Sequence, residues 1–249
     1  MTELDISLMT EQEQMAYIRS KLSDKWWRMN NLYMIENEQG QLVRFRLRPA
    51  QELLFRTMWY LNIILKARQL GFSTAIDIYL LDEALFNKNL KCGIIAQDLT
   101  AAGEIYRTKI EVPFDNLPGW LKAQFKVVTR RGGANGGHIL FRHGSSIQVA
   151  TSFRSGTVQR LHVSEHGKIA PSTREGQGGA YRYPAGIHPG AVAFIESTAR
   201  AWRRLPCHEH EVPRAGRPPV SSASSTGSST SSPGGRTPSI VLTCRHPAW

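Results

Sequence analysis

The segment LNIILKARQLGFST, residues 61–74, decides the fold, because it joins an apolar strand to a helix through a short basic loop. Residues 61–65 form a brief apolar run, typical of a strand buried on both faces of a parallel sheet. The loop follows at residues 66–72, and Ser73 begins a helix predicted to run to about Phe86. A strand, a tight turn and a helix N-terminus can together hold phosphate on backbone N–H groups.

The same alternation of strand and helix recurs along the chain. A buried strand at 92–96 leads into a predicted helix at 98–110, and a last buried strand at 191–195 ends at Glu196-Ser197-Thr198. Alternating elements of this kind imply βαβ units around a mainly parallel sheet. Shorter strands are predicted between them at 127–129, 138–141, 147–150 and 161–163. We therefore expect an α/β fold of three layers with a mainly parallel central sheet.

An N-terminal extension is predicted before this core. A helix at 10–22 carries an apolar stripe, and apolar runs at 32–35 and 42–47 flank a turn, which indicates a hairpin. Arg48-Pro49 then begins a helix to about Tyr60, because proline in the first turn loses no helical hydrogen bond. The expected division is an extension at 1–47, an incomplete α/β core at 48–200 and a tail at 201–249.

Composition restricts the classes of partner and compartment. Among 249 residues, 31 Lys and Arg against 20 Asp and Glu give a net charge of +11, which favours a polyanionic partner. Three widely spaced cysteines do not form a disulfide framework and suit a reducing compartment. The N-terminus is acidic and polar, unlike a secretory signal, and no apolar run approaches the roughly 20 residues that span a bilayer.

The tail at 201–249 differs from the rest of the chain. It is rich in proline and contains the serine-rich run SSASSTGSSTSSPGG at 221–235, so we expect disorder. No lysine follows Lys168 and no aspartate follows Asp115, whereas arginine continues to Arg245. One hypothesis is a gene read out of frame over 171–186 and 201–249; the alternative is an authentic arginine-rich tail.

The loop matches the phosphate-binding signature G-x-x-x-x-G-K-[ST] in part. Gly71 takes the second glycine and Ser73 the hydroxyl position, but Phe72 replaces the usual lysine and Lys66 stands at the first glycine. Lys66 could still reach the β- and γ-phosphates, with Arg68 as a second cation and the Ser73 hydroxyl as a Mg²⁺ ligand. The alternative is a basic strand-to-helix loop with a glycine turn.

A carboxylate suited to activating water ends another predicted strand. The run at 161–163 is followed by Ser164-Glu165, at the carboxyl end where α/β proteins bind ligands. We expect this strand beside the loop strand, with Glu165 as the catalytic base and Ser164 holding Mg²⁺ through its hydroxyl or a water. The alternative is an ordinary solvated glutamate.

Two glycine-containing segments carry further arginines. TRRGGANGG at 129–137 is predicted to be a flexible basic turn that touches a DNA backbone, or else a plain hairpin loop. SFRSGT at 152–157 precedes the acidic strand, and its Arg154 is a further candidate for stabilising charge.

These motifs together resemble the large terminase subunits of tailed phages, the ATPases that drive DNA into proheads. RQLGFST at 68–74 is similar to the loop of that family, LRPAQ at 47–51 to its adenine-reading glutamine motif, and ESTA at 196–199 to its coupling motif. The resemblance covers about residues 25–200, with the motifs in the family's order.

The resemblance implies a P-loop NTPase fold of the ASCE type that uses ATP and Mg²⁺. It implies Glu165 and Arg68 as catalytic residues, Ser73 and Ser164 as metal ligands, and Thr198 as the residue that couples hydrolysis to movement. The residues that it implies for nucleotide binding are Gln51, Lys66, Ala67, Arg68, Gln69, Leu70, Gly71, Phe72, Ser73, Thr74 and Thr198.

The implied function is an ATP-hydrolysing motor subunit that packages viral double-stranded DNA in the cytoplasm of a bacterial host. The implied partners are DNA, a portal protein, a small terminase subunit and further copies in a ring, with no membrane. Because no aspartate follows Asp115, we expect a fragment without the family's nuclease domain. A catalytically dead nucleotide- or DNA-binding remnant is the alternative; a helicase-like ATPase is disfavoured because no further helicase motifs follow.

Overall fold

The computed structural model describes residues 10–66, 70–153, 157–168 and 190–198, and the backbone of residues 241–242.

The N-terminal extension contains helices α1 (Glu11–Ser23) and α2 (Lys25–Asn31) and a two-stranded sheet, β1 (Met34–Glu36) and β2 (Leu42–Arg44). Thr10 caps α1 through a hydrogen bond with the backbone of Glu13, as expected of that sequence. The expected apolar stripe is only partly covered: Met15 is exposed, whereas Ile18 and Leu22 are half-buried and Leu22 packs against the core. No residue of α1 is fully buried.

Helix α2 was not predicted from the pattern of apolar residues. Asp24 begins it, and its carboxylate accepts hydrogen bonds from the backbone N–H groups of Trp26 and Trp27. The helix buries Arg28 and Met29. The guanidinium of Arg28 forms a two-point ion pair with Asp82 at 2.7–2.8 Å, which fastens the extension to the core.

The remaining elements alternate broadly as predicted. In chain order they are α3 (Pro49–Thr57), β3 (Leu61–Lys66), α4 (Phe72–Phe86), β4 (Lys91–Ile95), α5 (Leu99–Ile105), α6 (Val112–Asp115), α7 (Gly119–Lys122), β5 (Val127–Gly133), β6 (Gly136–Phe141), β7 (Ser146–Ala150), β8 (Arg160–Val163), β9 (Val192–Thr198) and β10 (Val241–Leu242). A π-helical segment, Tyr106–Glu111, joins α5 to α6, and a 3₁₀ turn, His166–Lys168, follows β8.

Helix α3 ends three residues before the predicted Tyr60. The buried side chain of Asn62 explains the early end, because its amide bonds both the N–H and the C=O of Trp59 at 2.7–2.8 Å. Those bonds hold the backbone in a turn immediately before β3.

Within the described residues, the main sheet has eight strands in the order β10-β3-β9-β8-β4-β7-β6-β5. The strands from β3 to β7 in this order pair in parallel, whereas β10 and the β5–β6 hairpin pair antiparallel. The fold is therefore mixed α/β with a mostly parallel sheet, as expected. The expectation that Glu165 follows a strand beside β3 is wrong, because β9 lies between β3 and β8.

Helix α4 lies at the centre of the core. Most of its residues are buried, which agrees with a sequence that is apolar around the whole helix. Its polar residues have partners: Asp82 accepts hydrogen bonds from Arg28 and from the hydroxyl of Tyr33, and Glu83 pairs with Lys25 and Arg160. This burial fixes the beginning of α4 relative to the sheet, where the site lies.

The glycine-rich segment at 129–137 lies in the antiparallel hairpin of β5 and β6, so the alternative of a plain hairpin is confirmed and the flexible basic turn is wrong. Cβ atoms at Gly132 and Gly137 would lie 2.3–2.5 Å from the ring of Tyr106, so glycine lets the π-helical segment lie directly on the strands. Arg130, which we expected to follow DNA phosphates, is paired with Glu111 and Asp115 at 2.6–3.3 Å. The hairpin therefore packs against the π-helical segment, while most residues of β5, the strand at the edge of the sheet, are exposed.

Several predictions fall on residues that the structure does not describe. Arg154, the segment 171–186 and nearly all of the tail at 201–249 lie outside the described residues. Within the tail, only the backbone of β10 is described, and it pairs with Ile63 and Ile64 of β3. Among the described residues, no helix is both long enough and apolar enough to cross a bilayer.

Candidate functional site

Lys66 lies at the centre of a polar cluster at the carboxyl end of β3. Its ammonium nitrogen is 2.6 Å from Oγ of Ser73 and 3.0 Å from Oε1 of Glu196. Oε1 of Glu165 lies 3.9 Å from the same nitrogen. The lysine is the last residue of β3 and is only 8% exposed, so a paired strand rather than the loop positions it.

Strand periodicity explains why these side chains meet. Residues two apart in a strand point to the same face, so Ile64 and Lys66 of β3 share a face of the sheet. Glu196 pairs with Ile64, which places its side chain on that face. Helix α4 covers the same face, and Ser73 and Asp77 lie one helical turn apart on it. The cluster is thus held between the sheet and the first turns of α4.

The turn before α4 is supported by Gln51. Gly71 adopts a left-handed conformation with φ of 70°, and a Cβ there would lie 3.0 Å from Nε2 of Gln51. That amide nitrogen donates to the carbonyl of Leu70 at 3.0 Å, while Oε1 accepts from the backbone N–H of Arg48 at 3.0 Å. Gln51 therefore braces the loop, and its contact with adenine stays a prediction.

Glu165 follows β8 in a backbone conformation that is uncommon for a glutamate. Its φ is 52°, in the left-handed region, which costs on the order of 1–2 kcal/mol for a residue with a Cβ. The carboxylate lies between Lys66, at 3.9 Å, and Lys168, at 3.6 Å. Backbone strain at a carboxylate between two cations is typical of a functional position.

Glu196 is the functional candidate that the sequence analysis did not single out. Oε1 of this carboxylate lies 3.4 Å from Oγ of Ser164, and Ser73 donates a hydrogen bond to it. The ammonium of Lys66 and the imidazole of His162, at 3.0 and 3.5 Å, face the same oxygen. Glu196 thus joins β3, β8, β9 and α4 through one oxygen atom.

The charge of Glu196 is maintained despite complete burial. Burial by itself would raise its pKa, but the hydrogen bond and charge of His162, followed by Lys66 and Ser73, lower the pKa to about 2. His162 is also wholly buried, which lowers its pKa, but Asp77 and Glu196 together raise it to about 9. At neutral pH the cluster therefore contains an imidazolium beside an ionised carboxylate.

The residues that could hold Mg²⁺ converge on the same carboxylate. The hydroxyls of Ser73 and Ser164, both expected as ligands, each contact Oε1 of Glu196. No group of three His, Cys, Asp or Glu side chains within the described ranges could hold a metal by itself. The cluster fits Mg²⁺ nevertheless, because this ion is usually held by one or two carboxylates together with substrate phosphates and water.

The other expected site residues have different placements. Phe72 is completely buried in the core, so any contact with phosphate would come from its backbone. Thr198 pairs with Lys66 across β3 and β9, at the same edge of the sheet. Thr74 is half-buried in the first turn of α4. Ala67, Arg68 and Gln69 lie outside the described residues, so their roles stay predictions.

The sequence did contain a signal for Glu196. A glutamate directly follows the apolar residues at 191–195, so it had to end a buried strand on the same edge as the loop. No comparable signal marked Asp77 and His162, because their proximity depends on how α4 lies across the sheet. Their Nδ1–Oδ1 distance is 2.7 Å.

No protein-family model matches the sequence. No curated protein matches it either. The chain is similar to a structure described as "Crystal structure of the HK97 bacteriophage large terminase", with 14% identity and a TM-score of 0.47. The match covers 76% of this chain and 38% of that one, so this chain spans well under two thirds of its length.

Proposed function

We propose that this protein is an ATPase that serves as the motor subunit for packaging viral double-stranded DNA. The observation that carries the proposal is the meeting of Lys66, Ser73 and Glu165 at one edge of the sheet, from three separate elements. A basic group, a hydroxyl at a helix N-terminus and a carboxylate are the parts that phosphoryl transfer to water requires.

Each group has a role in the proposed reaction. Lys66 neutralises the β- and γ-phosphates, and Ser73 and Ser164 contribute hydroxyls to Mg²⁺, which supplies charge to the phosphates when bound. Glu165 accepts a proton from the attacking water. Arg68 adds positive charge, Gln51 contacts adenine, and Thr198 transmits loss of the γ-phosphate to the parts that grip DNA.

The motor role rests on the resemblance of the motifs to large terminase subunits and on the net charge of +11, which favours DNA as the partner. By the same resemblance, the proposed partners include a portal protein, a small terminase subunit and further copies in a ring. The proposed place of action is the cytoplasm of a bacterial host.

The test is binding and hydrolysis of Mg·ATP by the full chain, with and without double-stranded DNA. We expect Glu165→Gln to bind ATP as the parent does and to lose at least about 100-fold in turnover, since base catalysis contributes roughly 10²–10⁴-fold. The matched control is Glu38→Gln, which removes an exposed carboxylate in the N-terminal hairpin. Failure of the parent to bind ATP would reject the proposal, and unchanged turnover in Glu165→Gln would reject the assigned base.

A second candidate is a nucleotide- or DNA-binding remnant without catalysis. It is favoured by the buried Phe72 at the position of the usual loop lysine and by Ser164, which has a hydroxyl in place of a carboxylate. Tight binding of ATP or DNA with no release of phosphate above the rate of Glu165→Gln would establish this alternative.

A further inference from the structure

We infer that Glu196 supplies the carboxylate for magnesium in this site, from the strand that lies between those of Lys66 and Ser164. The inference rests on the proposed function and adds a ligand that the motif comparison did not assign. The inference is based on contacts between residues of this chain alone.

The hydroxyls assigned to the metal are incomplete as a ligand set. Magnesium is a hard cation that protein sites hold mainly through carboxylate and phosphate oxygens. Ser73 and Ser164 are neutral, and both contact Oε1 of Glu196, Ser164 at 3.4 Å. The one carboxylate shared by both hydroxyls is therefore placed to act with them on a common cation.

The second oxygen of Glu196 points to the same role. Oε2 is buried and makes no hydrogen bond to any atom of the described residues. A buried carboxylate oxygen without a partner is costly, because its interactions with water are lost and not replaced. A metal ion bound through either oxygen, or through both, would compensate that cost.

Lys66 marks where positive charge is required. Its ammonium is surrounded by Oγ of Ser73 at 2.6 Å, Oε1 of Glu196 at 3.0 Å and Oε1 of Glu165 at 3.9 Å. These oxygens therefore already surround one cation, the ammonium group of Lys66. In the nucleotide complex the ammonium is needed at the phosphates, and a buried carboxylate that loses a counter-charge is strongly destabilised.

His162 does not replace that charge. Its imidazole faces two carboxylates at once, Asp77 at 2.7 Å and Glu196 at 3.5 Å. When Lys66 turns to the phosphates, the two carboxylates have one imidazole between them, and it lies closer to Asp77 than to Glu196. A divalent cation between Glu196 and the phosphates would replace the positive charge that Glu196 loses when Lys66 moves away.

The test measures Mn²⁺ binding by electron paramagnetic resonance, in the full chain with a non-hydrolysable ATP analogue. We expect Glu196→Gln to weaken Mn²⁺ binding in the ternary complex at least tenfold. Affinity for the analogue without metal should be unchanged or higher, because Lys66 is released from Glu196. Glu38→Gln, which removes an exposed carboxylate in the N-terminal hairpin, is the matched control and should retain Mn²⁺ affinity within about threefold.

Two further measurements keep the inference testable if Glu196→Gln is unstable. The double variant Ser164→Asp/Glu196→Gln returns a carboxylate to the neighbouring strand, and we expect it to recover Mn²⁺ binding. In the unmodified protein, Fe²⁺ with ascorbate and peroxide should cleave the backbone close to residue 196 as well as close to residue 73.

The outcomes separate the inference from the proposed function. Equal Mn²⁺ affinity in the parent and in folded Glu196→Gln, or iron cleavage near residue 73 without cleavage near 196, would overturn the inference alone. If the parent binds no nucleotide with or without metal, the proposed ATPase function fails first, and the inference fails with it.

Discussion

Asp77 and His162 are joined beneath the site by a hydrogen bond of 2.7 Å between two wholly buried side chains. The bond connects α4 to β8, and it orients the imidazole whose other nitrogen faces Glu196 at 3.5 Å. Helix, strand and candidate metal ligand are therefore fixed relative to one another by a chain of three side chains.

Asp77→Asn is expected to destabilise the protein by about 3–5 kcal/mol, because it removes the closer of the two carboxylates that face the buried imidazole and leaves only Glu196, at 3.5 Å. Urea unfolding followed by circular dichroism measures the change. Glu38→Gln, at an exposed carboxylate, should change the free energy of unfolding by less than about 0.5 kcal/mol. A similarly small change in Asp77→Asn would show that the pair is unimportant for stability.

The left-handed backbone at Glu165 makes the choice of replacement informative. Asparagine tolerates this conformation better than glutamine, so we expect Glu165→Asn to be more stable than Glu165→Gln by about 0.5–1 kcal/mol. Both variants lose the carboxylate. At Glu104, exposed within α5, the order should reverse, because asparagine is the poorer helix former. The same order at both sites would contradict a strained Glu165.

Glu83 is expected to contribute to acid denaturation. Burial raises its pKa, but Lys25 and Arg160 lower it by more, so the folded-state pKa lies below the ordinary 4.5. Its contribution to the free energy of unfolding is then present above pH 4.5 and is lost as the pH falls below that value.

The measurement is the free energy of unfolding of parent and Glu83→Gln between pH 7 and pH 3. The difference between the two proteins should narrow on acidification, because the parent loses an ion pair that the variant lacks. Glu104→Gln, which alters an exposed carboxylate, should follow the parent curve closely at every pH. A constant difference between parent and Glu83→Gln would refute the assigned pKa shift.

Two glycines in helices should respond in opposite ways to alanine. At Gly103 a Cβ would lie 2.4 Å from the backbone oxygen of Ala134, and we expect Gly103→Ala to cost about 1–3 kcal/mol. At Gly119 a Cβ would meet nothing within 4 Å, so Gly119→Ala should be neutral or stabilising by up to about 1 kcal/mol. Thermal unfolding of both variants decides the matter; equal effects would argue against close contact of α5 with the hairpin.

The local parts of the site were predictable from the sequence. A strand, a glycine turn and a helix are encoded within residues 61–74, and their spacing alone brought Lys66 close to Ser73. The position of Glu165 at the end of a strand followed from alternation of apolar residues before it. Its distance of 3.9 Å from Lys66 agrees with the expectation that both lie at one edge.

The order of the strands was not predictable in the same way. Which strand lies beside β3 depends on long-range pairing, and β9, some 130 residues farther along, takes that place. Glu196 is consequently central, although its sequence context suggested only a coupling role for this segment. A hairpin at 129–137 was among the alternatives, but the packing of its glycines against Tyr106 was not predictable, because that residue belongs to a separate element.

The position of Lys66 at the end of a paired strand affects how related proteins can be recognised from their sequences. The pairing of β3 with β9 continues as far as Lys66 and Thr198. The backbone position of Lys66 therefore does not depend on which residues lie between it and Gly71. A profile that requires a lysine next to the helix would not match this chain there, because Phe72 holds that position. Profiles that instead ask for a lysine closing an apolar strand, seven positions ahead of a serine, would recover it.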